Sequence, residues 1–477
     1  MNGGEHFYNR ALETLSREEL RALQDGRLRE LVLKMAANPF YREKAQSAGL
    51  ELGRIDGAEH LRALPFTTKQ QLVDEQLANP PFGRLLTYPA SEYCYFHQTS
   101  GTTGHPFKCV DTAESWEWWK ACWGYVYRAA GVTSNDVIFC AFSFGPYISH
   151  WAAISGGWHI GARCISGGGM NSEQRLQSII DNRATVLVCT PTYALHLIEV
   201  ARSLSIDLAS SSIRISIHAG EPGASLPNVK RAIEAGLSAR CFDHAGATEA
   251  GAWAFDCEAR TGAIHLNEAE FIFEVIDPTT GKQVGEGERG EVVISNLGRA
   301  CMPVLRYRTG DLVELTSDPC PCGRTFSRIK GGVVGRADDM IIVRGVNLYP
   351  SAIDDLIRSL PDITEYQVDI RRVSGMDELS IKIELTDAVR FEATSRALKH
   401  AFRTQYSIRV GVEQAPPGSL PRYEFKARRF KRIESGRYCL TKKTSQAQRP
   451  TCAPRESRTL ARYLNRLPYW SVRRESL

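Results

Sequence analysis

The sequence predicts an α/β chain: a large N-terminal part on a mostly parallel sheet, continued by a β-rich subdomain and followed by a small C-terminal α+β domain. Three observations carry this. Between residues 136 and 242 short apolar runs alternate with longer amphipathic stretches, the pattern of strands joined by crossover helices. From Phe271 to Leu315 strand-like runs follow one another with turn residues such as Asp277-Pro278-Thr279-Thr280-Gly281 between them. Past Gly335-Arg336-Ala337-Asp338-Asp339 a shorter β and α series begins, of roughly a hundred residues, an ordinary domain size. At 477 residues the chain is too long for one compact core.

Taken in order, residues 1 to about 75 are expected to be helical. Leu12, Leu15, Leu20, Leu23, Leu28, Leu31 and Leu33 recur near helical spacing, and Asn38-Pro39-Phe40-Tyr41 interrupts them. Thr67 or Thr68 is placed to cap the next helix. Tyr93-Cys94-Tyr95-Phe96 reads as a strand, and Ala113 to Ala130 as a buried, aromatic-rich helix. A buried strand over 136–142 opens into Ser143-Phe144-Gly145-Pro146-Tyr147-Ile148-Ser149-His150-Trp151. Strands follow at 161–165, 185–189, 213–219 and 239–242, with helices at 171–183, 191–205 and 224–236. The 271–276, 291–295 and 312–315 runs are β-type, and the last part opens with a strand at 340–344 and a helix at 350–360. The domains expected are 1–334 and 335–436, with 437–477 a basic, poorly ordered tail.

Composition excludes several classes. With 43% apolar and 24% charged residues the chain is neither disordered nor membrane-spanning, and its apolar runs are short. Met1-Asn2-Gly3-Gly4-Glu5-His6 has no signal-peptide pattern, so the cytoplasm is expected. Thirteen scattered cysteines suit reduced thiols. The net charge of +5 arises in the tail, where ten Lys and Arg face two Glu after Gly436, leaving residues 1–436 at about −3. No nucleic acid and no membrane are expected as partners.

The stretch with the most chemistry is Gln98-Thr99-Ser100-Gly101-Thr102-Thr103-Gly104-His105-Pro106-Phe107-Lys108. Its glycines allow close backbone approach, and Ser100, Thr102, Thr103, Lys108 and the backbone N–H groups are donors suited to phosphate oxygens. It is not a Walker A loop, since Lys108 is not preceded by Gly at the required spacing. Four further stretches are ligand-like: His218-Ala219-Gly220-Glu221-Pro222-Gly223 and Asp243-His244-Ala245-Gly246-Ala247-Thr248-Glu249, each after a strand, then Arg306-Tyr307-Arg308-Thr309-Gly310-Asp311 and Arg336-Ala337-Asp338-Asp339. Glu249 offers a hard carboxylate for Mg²⁺, and Asp311 can accept both hydroxyls of a ribose. Any one alone reads as a turn or a surface ion pair.

In this order the motifs resemble those of the adenylate-forming superfamily of acyl-CoA synthetases, in its phenylacetate–CoA ligase branch. The matching residues are Thr99 to Pro106, Ala219 to Pro222, Gly246 to Glu249, Tyr307 to Asp311, Gly335 to Pro350 and the Lys426 region, spanning roughly residues 60 to 433. The resemblance implies an N-terminal adenylation domain and a small mobile C-terminal lid. It implies ATP phosphates held by Ser100, Gly101, Thr102, Thr103, Gly104 and Lys108. Ala219, Gly220, Glu221 and Pro222 would flank adenine, with Asp243, His244, Ala245 and Gly246 also in the nucleotide site. Thr248 and Glu249 would act at the α-phosphate and Mg²⁺, Asp311 and Arg336 would hold the ribose, Asp338 would be the hinge, and Lys426 the catalytic lysine. Ala245 stands where the family usually has an aromatic residue, and Phe425 where it usually has Gly.

The implied activity is ATP-dependent formation of an acyl adenylate followed by thioester formation with coenzyme A. Transfer to an amine or a carrier-protein thiol, or nucleotide binding without turnover, are the alternatives. Phe142, Phe144, Tyr147, His150 and Trp151 are candidates for an aryl or arylacetic acid pocket, with core packing as the other reading. Cys257, His265, Cys320 and Cys322 form a Cys₃His set suited to tetrahedral structural zinc, with unligated thiols as the other reading. The expected partners are thus a small carboxylic acid, ATP and CoA, and a homodimer is left open as the assembly.

Overall fold

The computed structural model describes residues 6–99, 105–259, 261–343, 346–373, 376–423 and 427–433. Ser100, Gly101, Thr102, Thr103, Gly104 and Lys426 lie outside the described residues, as does the tail. Five helices open the chain: α1 (Arg10–Glu13), α2 (Arg17–Lys34), α3 (Pro39–Ser47), α4 (Ala58–Arg62) and α5 (Lys69–Ala78). Ser16 and Glu19 close a capping box on α2, and Thr68 and Gln71 close another on α5. The interruption at Asn38 is a helix start: the Asn38 side chain caps α3 and Pro39 occupies its first turn. Leu28, Leu31 and Val32 bury with Ile272, Leu297 and Leu305, so this layer packs on the β-rich part, whereas Leu33 is 67% exposed.

The hairpin β1 (Tyr93–Gln98) and β2 (Lys108–Thr112) is followed by α6 (Ala113–Ala129). Next come β3 (Val137–Cys140), α7 (Ile148–His159), β4 (Arg163–Ser166), α8 (Ser172–Asp181), β5 (Val186–Cys189), α9 (Pro191–Ser203), β6 (Ile215–His218), α10 (Pro227–Leu237) and β7 (Arg240–Ala247). Strands β4, β3, β5, β6 and β7 pair in that order, all parallel. Their apolar runs serve two faces: Ile138, Val186 and Val188 pack into one core cluster, Phe139, Leu187 and Cys189 into the other.

Helix α7 is absent from the sequence expectation, which treats 143–151 as an opening loop. Its glycines lower helix propensity, yet they allow close packing on α6 and the sheet. A Cβ at Gly156 would lie 2.2 Å from Trp123 Cβ, and one at Gly157 2.4 Å from Cys164 Sγ.

The β-rich region comprises β8 (Gly251–Phe255), β9 (Ala263–Leu266), β10 (Phe271–Ile276), β11 (Arg289–Asn296), β12 (Tyr307–Thr316), β13 (Arg328–Lys330) and β14 (Gly335–Arg336). It continues the parallel sheet. β7 pairs parallel with β6 and antiparallel with β8, giving one 12-stranded mixed sheet.

The smaller C-terminal domain contains β15 (Ile341–Val343), β16 (Val346–Leu348), α11 (Pro350–Arg358), β17 (Ile363–Val373), β18 (Met376–Leu385), α12 (Phe391–Tyr406), β19 (Gly411–Gln414) and β20 (Phe430–Ile433). Its sheet runs β19-β18-β17-β20. Ile353, Val368, Ile381, Leu398 and Phe402 belong to a core drawn wholly from this part of the chain. No helix of the described residues is long and apolar enough to cross a membrane.

The α6–α7 contact yields a direct test. Gly156→Ala must displace Trp123 and is expected to lower stability by about 1–3 kcal/mol in urea unfolding. Gly53→Ala, where a Cβ meets nothing within 4 Å, serves as the control and should change little.

Candidate functional site

Strands β6 and β7 lie side by side, with His218 opposite Asp243, so the turns that follow them emerge together at the carboxyl edge of the parallel sheet. After β6, Gly220 takes φ +94°, a conformation that favours glycine, and reverses the chain ahead of Glu221. One Glu221 oxygen accepts the Thr192 N–H in the first turn of α9 at 2.9 Å. The other accepts the Ala427 N–H at 3.1 Å.

After β7, Thr248 and Glu249 form the turn into β8. This turn is held from beneath. Arg299, 1% exposed, donates to the Glu249 carbonyl at 2.8 Å and to the two Asp111 carboxylate oxygens at 2.6 and 3.0 Å. The Glu249 carboxylate, itself buried, lies 3.0 Å from Lys69 Nζ at the start of α5. Helix α5 is placed by Thr67, whose N–H donates to Arg306 O and whose carbonyl accepts from Arg308 N–H, both at 2.8 Å. Tyr307, between those arginines, is buried and feels the charges of Glu249, Asp311 and Arg336; burial first, then those carboxylates, raise its phenol well above the usual range.

Asp311 on β12 pairs with Arg336 on β14, the guanidinium lying 3.3 Å from the carboxylate. Arg336 also donates to Asp338 at 2.9 Å and to Thr309 O at 3.2 Å. Gly310 has φ +79°, a conformation that favours glycine, and a Cβ there would fall 2.7 Å from Arg336 Nη2. Lys108 begins β2, where its backbone exchanges hydrogen bonds with the Gln76 side chain. Asp243 is buried, accepts from the Ser225 hydroxyl and is pushed up to about 6 by burial. His244 turns inward: Nδ1 lies 2.9 Å from Ala254 O, the ring meets the edge of Trp123, and burial pushes it down to about 4. Ala245 and Gly246 lie near the end of β7, opposite Ala254 and Ala252.

The aromatic set near α7 divides. Phe144, His150 and Trp151 touch one another with centroids 5.2–5.4 Å apart. Phe142 and His150 are buried, whereas Phe144 is 62% and Trp151 39% exposed, and Tyr147 sits at the start of α7. A shallow cleft of about 350 Å³ beside them is lined by Ser143, Phe144, Gly169, Met170, Asn171 and Arg175, so of the five residues expected to line a pocket only Phe144 borders it.

A second cluster lies on the β-rich part. Cys257 follows β8, His265 is on β9, and Cys320 and Cys322 stand in the turn between β12 and β13. Their ligating atoms all fall within 4.8 Å of one another. Cys257 Sγ is 3.6 Å from Cys320 Sγ, and Cys322 Sγ 3.4 Å from His265 Nε2. The register β9–β13, with Arg328 opposite His265, brings the halves together.

Sequence reasoning missed Lys69, Asp111 and Arg299. Asp111 and Arg299 are 188 residues apart, so no local spacing links them. A Lys directly after Thr67-Thr68 was a signal for a helix start and nothing more.

The burial of Asp243 has a measurable consequence. Its folded-state value lies above the unfolded one, so its contribution favours the fold at low pH and is lost as pH rises through about 6. Asp243→Asn should therefore gain stability over the parent between pH 4 and 7.5 by up to about 3 kcal/mol in urea unfolding. Parallel pH profiles for the two proteins would show that Asp243 titrates normally.

The family models agree with this architecture. Residues 30–302 match the AMP-binding enzyme family and residues 345–432 the AMP-binding enzyme C-terminal domain. The phenylacetate-coenzyme A ligase of Thermus thermophilus is 32% identical over 440 residues, covering 88% of this chain and 97% of the relative. That of Escherichia coli is 32% identical over 427 residues, covering 87% and 95%. A 2-hydroxyisobutyryl-CoA ligase in its postadenylation state superposes with a TM-score of 0.86 at 29% identity, covering 91% of this chain and 94% of the other. The same enzyme in its thioesterification state gives 0.68 at 30% identity, covering 90% and 93%. Both domains thus have counterparts over nearly the whole described length, and the chain belongs to the adenylate-forming AMP-binding enzymes, in the phenylacetate–CoA ligase-like family.

Proposed function

We infer that this protein is an AMP-forming carboxylate–CoA ligase: it activates an acid with ATP as the acyl adenylate and then transfers the acyl group to coenzyme A. The observation that carries the site assignment is the convergence of the β6 and β7 turns with the Asp311–Arg336 pair, linked through Tyr307 and Thr67. In this reading adenine lies beside Ala219 to Pro222 and the end of β7, where Ala245 leaves the stacking face to another ring. The ribose hydroxyls meet Asp311, oriented by Arg336. Thr248 meets the α-phosphate. Residues 100–104 and Lys108 take the terminal phosphates.

The substrate carboxylate attacks the α-phosphorus and pyrophosphate leaves. Negative charge grows on phosphoryl oxygens, so catalysis rests on positioned cations and N–H groups. The Glu249 carboxylate, a hard oxygen donor on a turn held by the Arg299 contact to its main-chain carbonyl and lying 3.0 Å from Lys69 Nζ, suits Mg²⁺, which would supply charge neutralisation there. Lys426 is the proposed catalytic lysine. The adenylate is water-sensitive, which calls for closure of the smaller domain about a hinge at Asp338. The higher TM-score against the postadenylation state of the 2-hydroxyisobutyryl-CoA ligase than against its thioesterification state supports such a movement, with the present arrangement nearer the former.

The acid proposed is aryl or arylacetic. Support comes from the relatives named phenylacetate-coenzyme A ligases and from the rings of Phe144, Tyr147, His150 and Trp151 near Phe142. The Cys257, His265, Cys320 and Cys322 donors fit a structural zinc: four soft or borderline ligand atoms within 4.8 Å of one another, all supplied by protein. The described cysteines form no disulfide with one another, which suits the proposed cytoplasmic location.

ATP–pyrophosphate exchange with phenylacetate, benzoate and 2-hydroxyisobutyrate, followed by mass analysis with CoA, tests the activity and the acid class. Exchange with 2-hydroxyisobutyrate alone would overturn the aryl assignment. Lys426→Ala should lower exchange at least about 10³-fold while ATP binding changes little; wild-type exchange in that variant would move the role elsewhere. Metal analysis should find about one zinc per chain, and a fully folded, zinc-free preparation would remove the metal assignment.

A further inference from the structure

Helix α9 presents Thr192 and Glu199, seven residues apart and hence on one face, to Arg429 and Arg422 of the smaller domain. Arg422 donates to both oxygens of Glu199 at 2.8–3.2 Å and to Glu384, in its own domain, at 2.8 Å. Arg429, buried and paired with Glu365, donates to the Thr192 hydroxyl at 3.3 Å. Between them, the Ala427 N–H reaches the Glu221 carboxylate at 3.1 Å. The Thr192 N–H fixes the other Glu221 oxygen, and a carboxylate at a helix N-terminus is favoured there. One oxygen is therefore held by the larger domain and the second is offered to the smaller one.

We propose that α9 and Glu221 form a docking strip that positions Arg422, Ala427 and Arg429 for adenylation, with Glu199, Thr192 and Glu221 as positioning residues. All three contacts join the larger to the smaller domain, so rotation of the smaller domain breaks them together. Arg422 then keeps Glu384, which also accepts the Gly418 N–H at 3.0 Å, and so retains a partner in either arrangement. Thioester formation, which needs the lysine segment withdrawn, does not use the strip. This rests on the ligase reading above.

The test uses the full chain without ligand and then with substrates. In Glu199→Gln and, from the other side, Arg422→Gln, amide hydrogen exchange over 418–433 should quicken by about 10-fold while β3, β5 and β6 keep wild-type rates. Phenylacetate-dependent ATP–pyrophosphate exchange should fall by about 10-fold in Glu199→Gln, and thioester formation from supplied phenylacetyl adenylate and CoA should hold. Unchanged hydrogen exchange over 418–433 in both variants would overturn the strip. Equal losses in the two half-reactions would overturn its selectivity for adenylation. If the wild type does not activate phenylacetate, the acid assignment fails, and hydrogen exchange still decides the strip.

Discussion

The buried pair Arg299–Asp111 is the contact on which the site depends. A guanidinium and a carboxylate this far from water must neutralise each other, and leaving either alone costs several kcal/mol. Here the pair also does geometric work. Asp111 belongs to β2, in the hairpin whose connection is the phosphate-type loop, and Arg299 lies just past β11. Their junction carries the Glu249 carbonyl, with His97 of β1 close to the same Asp111 carboxylate and Arg299 over the Trp119 ring. Three separate parts of the chain thereby share one rigid point.

The second constraint is the change of direction at β7. To one side every neighbour is parallel and its connecting helices cover both faces; to the other the strands run antiparallel. A strand with a parallel partner on one flank and an antiparallel one on the other leaves its carboxyl end uncovered by a crossover. There the Thr248–Glu249 turn stands, beside the turn after β6. Lys69 and Tyr307 approach from the β-rich side because Thr67 is tied to Arg306 and Arg308.

The smaller domain has its own core, so its internal stability does not depend on how it sits. What joins it to the larger domain near α9 is polar: Arg422 with Glu199, Arg429 with Thr192, and Ala427 N–H with Glu221. Polar contacts of this kind exchange for water at modest cost, unlike a hydrophobic seam. That balance suits a domain required in two arrangements during one catalytic cycle.

Local residue pattern was enough to locate the strand–helix alternation, the β-rich texture after Phe271, the separate C-terminal domain and the order of the ligand-type turns. These follow from local periodicity and from Gly, Pro and capping residues, whose effects act within a few positions. Even there, the two glycines of α7 hid a helix, because propensity counts their cost and cannot see the close packing they permit. Long-range packing, in contrast, is why the β-rich strands extend the parallel sheet, Lys69 meets Glu249, Arg299 pairs with Asp111 and His244 faces inward. It also decided that the halves of the Cys₃His set meet and that the aromatic set near α7 divides between interior and surface. Such facts depend on which distant segments share a buried boundary, and burial, not spacing, sets the price of leaving a charge or a ring unpartnered.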